Sequence, residues 1–122
     1  MSDIKRILLA EDQAILAKLM SLELMAEGHQ VTVAVNGVEA KALLDEQTFD
    51  LLITDVYMPE MDGIELIGAL AEQQIKLPII VLSASRLSAL SADLEKLGVE
   101  HFIDKPITGE KLSLLLHLIS IL

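Results

Sequence analysis

The segment FDLLITDVYMPEMDG, Phe49 to Gly63, decides how this chain folds. Its first half, Leu51 to Thr54, is a short run of apolar and β-branched residues, the composition of a strand covered on both faces. The run then ends on a carboxylate, Asp55. A charged group at the end of a covered strand sits where the sheet opens to solvent, and the Met58-Pro59 and Asp62-Gly63 pairs that follow turn the chain into a new helix.

The same grammar recurs on both sides of this segment. Ile7 to Ala10, Val31 to Val35, Ile79 to Ser83 and His101 to Asp104 are also short, apolar and rich in β-branched residues, and read as strands. Helical spacing lies between them: Ile15, Leu19, Leu22 and Ala26; Val38, Ala42 and Leu43; Ile64, Ile67 and Ala71; Leu87, Leu90, Leu94 and Leu97. Gly28 and Gly98 follow the first and fourth helices, where a left-handed terminating residue is wanted. A strand-helix unit repeated five times predicts an α/β fold: five parallel strands, right-handed crossovers, helices on both faces. In the doubly wound form of this size the strand order is 2-1-3-4-5, and functional groups gather at the carboxyl ends of the strands near the reversal.

The whole chain limits what those groups can do. Its 122 residues suit one domain, 1–122, with a substantial core. Nineteen acidic against nine basic residues give a formal charge of −10, which disfavours direct binding to nucleic acid or an anionic membrane and draws divalent cations. The absence of cysteine excludes disulfides and thiolate metal sites and fits a reducing cytoplasm. MSDIKRILLAED lacks a signal peptide's apolar core, and no apolar run reaches membrane-spanning length.

In the predicted topology Glu11 and Asp12, Asp55, Ser83 and Lys105 converge from four strand ends. Two like charges about 4 Å apart cost roughly 4 kcal/mol at an effective dielectric near 20, so three clustered carboxylates call for a neutralising partner. Mg²⁺, which takes one or two carboxylates plus water and phosphate oxygens, matches this donor set better than Ca²⁺ or Zn²⁺. With Asp12 and Asp55 on the metal, an Asp55 oxygen remains free to attack a phosphoryl group, while Lys105 and Ser83 face the charge of its equatorial oxygens.

Glu11-Asp12, Asp55 within TDVYMPEMDG, Ser83 within IIVLSAS and Lys105-Pro106 together resemble the receiver domain of two-component response regulators, whose sheet is flavodoxin-like. The resemblance implies that Asp55 accepts a phosphoryl group from a histidine kinase or a histidine phosphotransfer protein. It implies direct Mg²⁺ ligation by Asp12, Asp55 and the Tyr57 carbonyl, with Glu11 acting through water. It further implies that Lys105 pairs with the phosphoryl group, that Ser83 moves towards it, and that the Lys105-Pro106 bond is cis. Phe102 stands where the family carries a switch aromatic, often tyrosine, so coupling to Ser83 should rest on packing alone. Tyr57 and Ser85 flank the path of attacking water, and neither is a carboxylate or amide, which predicts slow autodephosphorylation.

Such a domain is a signalling element rather than an enzyme. A flavodoxin-type cofactor binder shares the fold, but the first loop, AEDQA, is acidic where a phosphate-binding loop needs glycine and hydroxyls. A haloacid-dehalogenase-type phosphatase wants a second aspartate two residues after the nucleophile, where Tyr57 stands. A receiver-like module that works through protein contacts without phosphorylation remains the alternative. The three histidines read as structural or exposed, and Met58 and Met61 as loop packing. In the last helix Leu112, Leu115, Leu116 and Ile119 form a stripe that can face the sheet. Leu114, Leu118 and Ile121 form a second stripe. With the fourth helix and fifth strand, that outer stripe is expected to be a surface for a partner, a second copy or a missing part of a longer protein.

Overall fold

The structure, a computed structural model, describes residues 4–83 and 88–122, with side chains of residues 88–91 not described. Five strands alternate with five helices: β1 Arg6–Ala10, α1 Ala14–Ala26, β2 Gln30–Ala34, α2 Gly37–Glu46, β3 Leu51–Asp55, α3 Gly63–Glu72, β4 Ile79–Ser83, α4 Ser88–Lys96, β5 His101–Asp104 and α5 Gly109–Ile121. All neighbouring strands are parallel and the order is β2-β1-β3-β4-β5, as the alternation predicts. Strand β2 begins one residue earlier than its apolar run and stops at Ala34, leaving Val35 exposed beyond it.

The period-two alternation of the strands divides the core. Ile7, Leu9, Leu51, Ile53, Ile80 and Leu82 point to one face, where Ala17, Met20 and Leu24 of α1 and Leu115 and Ile119 of α5 cover them. On the other face Leu8, Ala10 and Leu52 meet Ala40 of α2 and Leu66 and Leu70 of α3. Val81 meets Ile67 of α3 and Leu94 of α4, with Phe102 packed partly against the same group. Each fully buried Leu, Ile, Val or Met among these contributes about 1.5–3 kcal/mol, so β1, β3 and β4 form a rigid floor under their own carboxyl ends.

Two helices turn a different face to the sheet than their spacing predicts. In α1, Ile15, Leu19 and Leu22 are 79%, 58% and 54% exposed and Ala26 is exposed, while Ala17, Met20 and Leu24 are buried. In α2, Val38 and Ala42 are exposed, and Ala40 is buried with Leu43 half-buried. Both helices carry apolar residues around most of their circumference, and the small side chains Ala17 and Ala40 allow close approach to the sheet. Periodicity alone cannot choose between two apolar stripes. In α5 the inward stripe is as predicted, but Leu118 of the outer stripe packs partly against the core, so only Leu114 and Ile121 stand well exposed.

Gly28 and Gly98 adopt φ of 96° and 99°, the left-handed conformation in which a side chain is strained. Beside Gly28, the half-buried His29 accepts a hydrogen bond at Nδ1 from the Lys5 backbone N–H, 3.1 Å away. Burial and the nearby Lys5 charge push the imidazole below its ordinary pKa. A lowered value means that the unfolded chain binds the extra proton first. This stability is therefore fully present above about pH 6.5 and is lost as pH falls through the folded value. Urea unfolding should therefore show stability falling as pH drops below about 6.5, and His29→Gln should flatten that slope; an unchanged slope in the variant would contradict the assignment.

Candidate functional site

Parallel pairing brings the predicted residues to one end of the sheet. Ala10 of β1 lies opposite Thr54 of β3, Asp55 opposite Leu82 of β4, and Ser83 opposite Asp104 of β5. Glu11 and Asp12 therefore leave β1 beside Asp55, and Lys105 leaves β5 beside Ser83. The Lys105 N–H donates to the Ser83 carbonyl at 2.6 Å, extending the β4–β5 ladder one residue into the site. The Lys105-Pro106 peptide bond is cis, as the resemblance implies.

Lys105 joins the strand ends electrostatically. Its Nζ donates to Glu11 Oε1 and to Asp55 Oδ2, each at 2.7 Å. Glu11 is fully buried and Asp55 is 6% exposed, so both ion pairs are shielded from water. The remaining carboxylate oxygens are held by backbone: Val56 N–H donates to Asp55 Oδ1 at 2.8 Å, and Gln13 N–H donates to Glu11 Oε2 at 3.1 Å. Burial pushes the Glu11 carboxyl above its ordinary value, against the lowering pull of Lys105 and the Gln13 N–H, and the charge of Asp55 adds to the rise. Burial also disfavours the Lys105 ammonium, yet its bonds to Asp55 and Glu11 prevail and hold its pKa above the usual lysine value.

One ammonium does not balance three carboxylates. A ligand oxygen from each of Glu11, Asp12 and Asp55 can be chosen so that all lie within 4.8 Å of one another, with Asp12 exposed at the mouth. This all-oxygen set, with a residual negative charge and one open side, fits a hard dication that retains water. Ser83, 9% exposed, lies at the adjacent strand end. The Tyr57 side chain stands 56% exposed beside Asp55 in the chain. Ser85, the other residue expected to flank the path of attacking water, lies outside the described residues.

The loop from β3 to α3 is fastened by a cap and by long-range backbone contacts, of which only the cap is foreshadowed in the sequence. Asp62 caps α3, accepting from Glu65 N–H while Glu65 reaches back to Asp62 N–H, the capping box that the Asp-Gly pair foreshadows. Gly63 N–H donates to Val56 O at 2.8 Å, and Gly37 N–H donates to Met61 O at 2.9 Å. Both glycines are obligatory on steric grounds, since a Cβ at Gly37 would strike the Met61 carbonyl and one at Gly63 the Asp55 carbonyl. Asn36 caps α2 and donates through Nδ2 to Glu60 Oε2 at 3.2 Å, beside the left-handed φ of 69° at Glu60. Asn36-Gly37 is legible in the sequence as a helix start; its contact with residues 60 and 61 depends on tertiary packing. Met58, buried, and Met61, half-buried, pack this loop onto the core, as expected.

Comparison with known proteins gives concordant results. The family model of the response regulator receiver domain matches residues 7–117. The response regulator receiver protein CpdR of Brucella abortus is 38% identical over 102 residues, covering 84% of this chain and 85% of CpdR. The transcriptional regulatory protein GlrR of Escherichia coli is 34% identical over 106 residues, which are 87% of this chain but only 24% of GlrR. Among solved structures, the Francisella response regulator 1452 receiver domain superposes with a TM-score of 0.85 at 28% identity, covering 96% of this chain and 97% of that one. The chemotaxis protein CheY4 of Vibrio cholerae gives 0.86 at 27%, covering 95% and 98%.

Removal of the central ammonium tests the electrostatics directly. Lys105→Met should destabilise the metal-free protein at neutral pH by about 3–5 kcal/mol, because it leaves buried carboxylates without their counter-charge. Added Mg²⁺ should recover most of that loss in thermal unfolding. Wild-type stability in the variant without metal would contradict the balance described.

Proposed function

The chain belongs to the response regulator receiver domain family of two-component systems, and from that premise we propose that residues 1–122 act as one phosphoacceptor unit with Asp55 as the acceptor. The observation that carries this reading is the state of Asp55: it ends a fully buried strand, with one oxygen on a backbone N–H and the other on Lys105. The donor is the phosphohistidine of a sensor histidine kinase or histidine phosphotransfer protein. An Asp55 oxygen forms the new P–O bond as the P–N bond breaks, and the imidazole leaves with that electron pair.

Lys105 exchanges a carboxylate oxygen for a phosphoryl oxygen, keeping a charge-assisted bond throughout. The Ser83 hydroxyl donates to a second phosphoryl oxygen from the end of β4. Asp12, Asp55 and the Tyr57 carbonyl are the proposed direct donors to Mg²⁺, with Glu11 acting through water. When bound, that ion supplies positive charge against the phosphoryl oxygens. Tyr57 shields the bound group from water and has no carboxylate or amide to orient an attacking molecule, which supports a long-lived phosphorylated form.

Phosphorylation adds roughly 1.5 to 2 negative charges at the strand end and biases an equilibrium between two conformations. Ser83 is tied through its carbonyl to Lys105, and Phe102 packs on the α4 side of the sheet. We infer readout through the α4, β5 and α5 face, towards an effector or a second copy. The unit is a signalling switch, working in the cytoplasm, whose catalysis extends only to its own phosphorylation and dephosphorylation. Among the described residues no helix is long and apolar enough to cross a membrane.

Intact mass and peptide mapping after incubation with acetyl phosphate tests the proposal. One Mg²⁺-dependent adduct on Asp55, absent in Asp55→Asn and decaying more slowly than in receivers with an amide or carboxylate at the Tyr57 position, is expected. No adduct while Mg²⁺ still binds would overturn the phosphoacceptor reading and leave a module that acts through protein contacts alone.

A further inference from the structure

Thr54 is a polar side chain set between the aliphatic residues of β3 and Asp55, and the chemistry above leaves it without a role. It is fully buried, where a hydroxyl is costly unless it is hydrogen-bonded. Its Oγ1 donates to the backbone carbonyl of Asp55 at 2.9 Å. That carbonyl belongs to the peptide unit joining Asp55 to Val56. The N–H of the same unit donates to Asp55 Oδ1 at 2.8 Å and to the Leu82 carbonyl at 3.1 Å. A peptide unit is planar, so fixing the direction of its oxygen fixes the direction of its N–H. The N-terminus of α3 closes on that oxygen from another side, since a Cβ at Gly63 would strike it.

We propose that Thr54 is a positioning residue for the Asp55 carboxylate, acting through the peptide unit between Asp55 and Val56; its bearing on phosphoryl transfer rests on the phosphoacceptor reading of Asp55. With its oxygen held by the Thr54 hydroxyl and Gly63 alongside, the peptide keeps its N–H aimed at Oδ1. Oδ2 is left turned to Lys105, 2.7 Å away. The two carboxylate oxygens are thereby distinguished before any ligand binds. The hydroxyl also polarises the peptide, which strengthens its N–H as a donor. Successive side chains of a strand point to opposite faces, so Thr54 acts on the carboxylate through the backbone and not by contact.

Two substitutions separate the hydroxyl from the rest of the side chain. Thr54→Val keeps the shape and loses the donor, whereas Thr54→Ser keeps the donor and loses a methyl group. In the metal-free protein, Thr54→Val should move the Val56 amide proton resonance upfield as the bond to Asp55 Oδ1 weakens. Thr54→Ser should return it towards the wild-type position. With acetyl phosphate at saturating Mg²⁺, adduct formation on Asp55 should slow about fivefold in Thr54→Val, the worth of one hydrogen bond. Thr54→Ser should recover the rate even though it loses stability in urea, having left a methyl-sized gap in the core. An unmoved Val56 resonance or a wild-type rate in Thr54→Val would overturn the proposal, as would a loss confined to Thr54→Ser, which would make Thr54 a packing residue. A wild-type chain that forms no adduct would remove the phosphoacceptor reading instead, and the Val56 resonance would then decide for or against Thr54.

Discussion

The Lys105 ammonium holds two carboxylates from different strands, largely shielded from water, and the candidate site is built around that contact. Glu11 comes from the end of β1, Asp55 from the end of β3 and Lys105 from the end of β5. Each alone would be costly to bury, and together they are short of positive charge. That deficit gives the site its chemistry. A protein that wanted only stability would place an apolar group here. This one keeps an acidic cluster whose charge balance a bound cation, or the phosphoryl group of the proposed function, would change.

The scaffold makes the arrangement possible. Residues at the carboxyl ends of parallel strands inherit the register of the strands beneath them, and Ile7 to Ala10, Leu51 to Thr54 and Ile80 to Leu82 are almost wholly buried. Asp55 therefore has little freedom to drift. The following loop is held from two sides, by the capping box at Asp62 and by the Asn36-Gly37 edge of α2. Rigid strands below and a fastened loop above position the carboxylates before any ligand binds, which is the preorganisation that phosphoryl transfer rewards.

Much of this was legible in the sequence because it rests on local rules. Short β-branched runs separated by helical spacing specified the strand order, and the polar residues that terminate those runs specified the site, including the convergence of Glu11, Asp55 and Lys105. The orientation of α1 and α2 was not legible. Both helices have more than one apolar stripe, and the sheet takes the one whose small residue, Ala17 or Ala40, permits the closer approach. Contact of Gly37 with the Met61 carbonyl was equally hidden, since nothing local marks which distant backbone a glycine will meet. Lys105 pairs here with Asp55 and Glu11, the groups whose negative charge surrounds it.

A Mg²⁺ titration followed by backbone amide resonances shows whether the strand-end acidic cluster of Glu11, Asp12 and Asp55 accepts a dication. Saturable shifts concentrated at residues 11–13, 55–57 and 105, and lost in Asp12→Asn, are the predicted result. Absence of saturable shifts there, or shifts spread evenly over the acidic surface, would contradict the account.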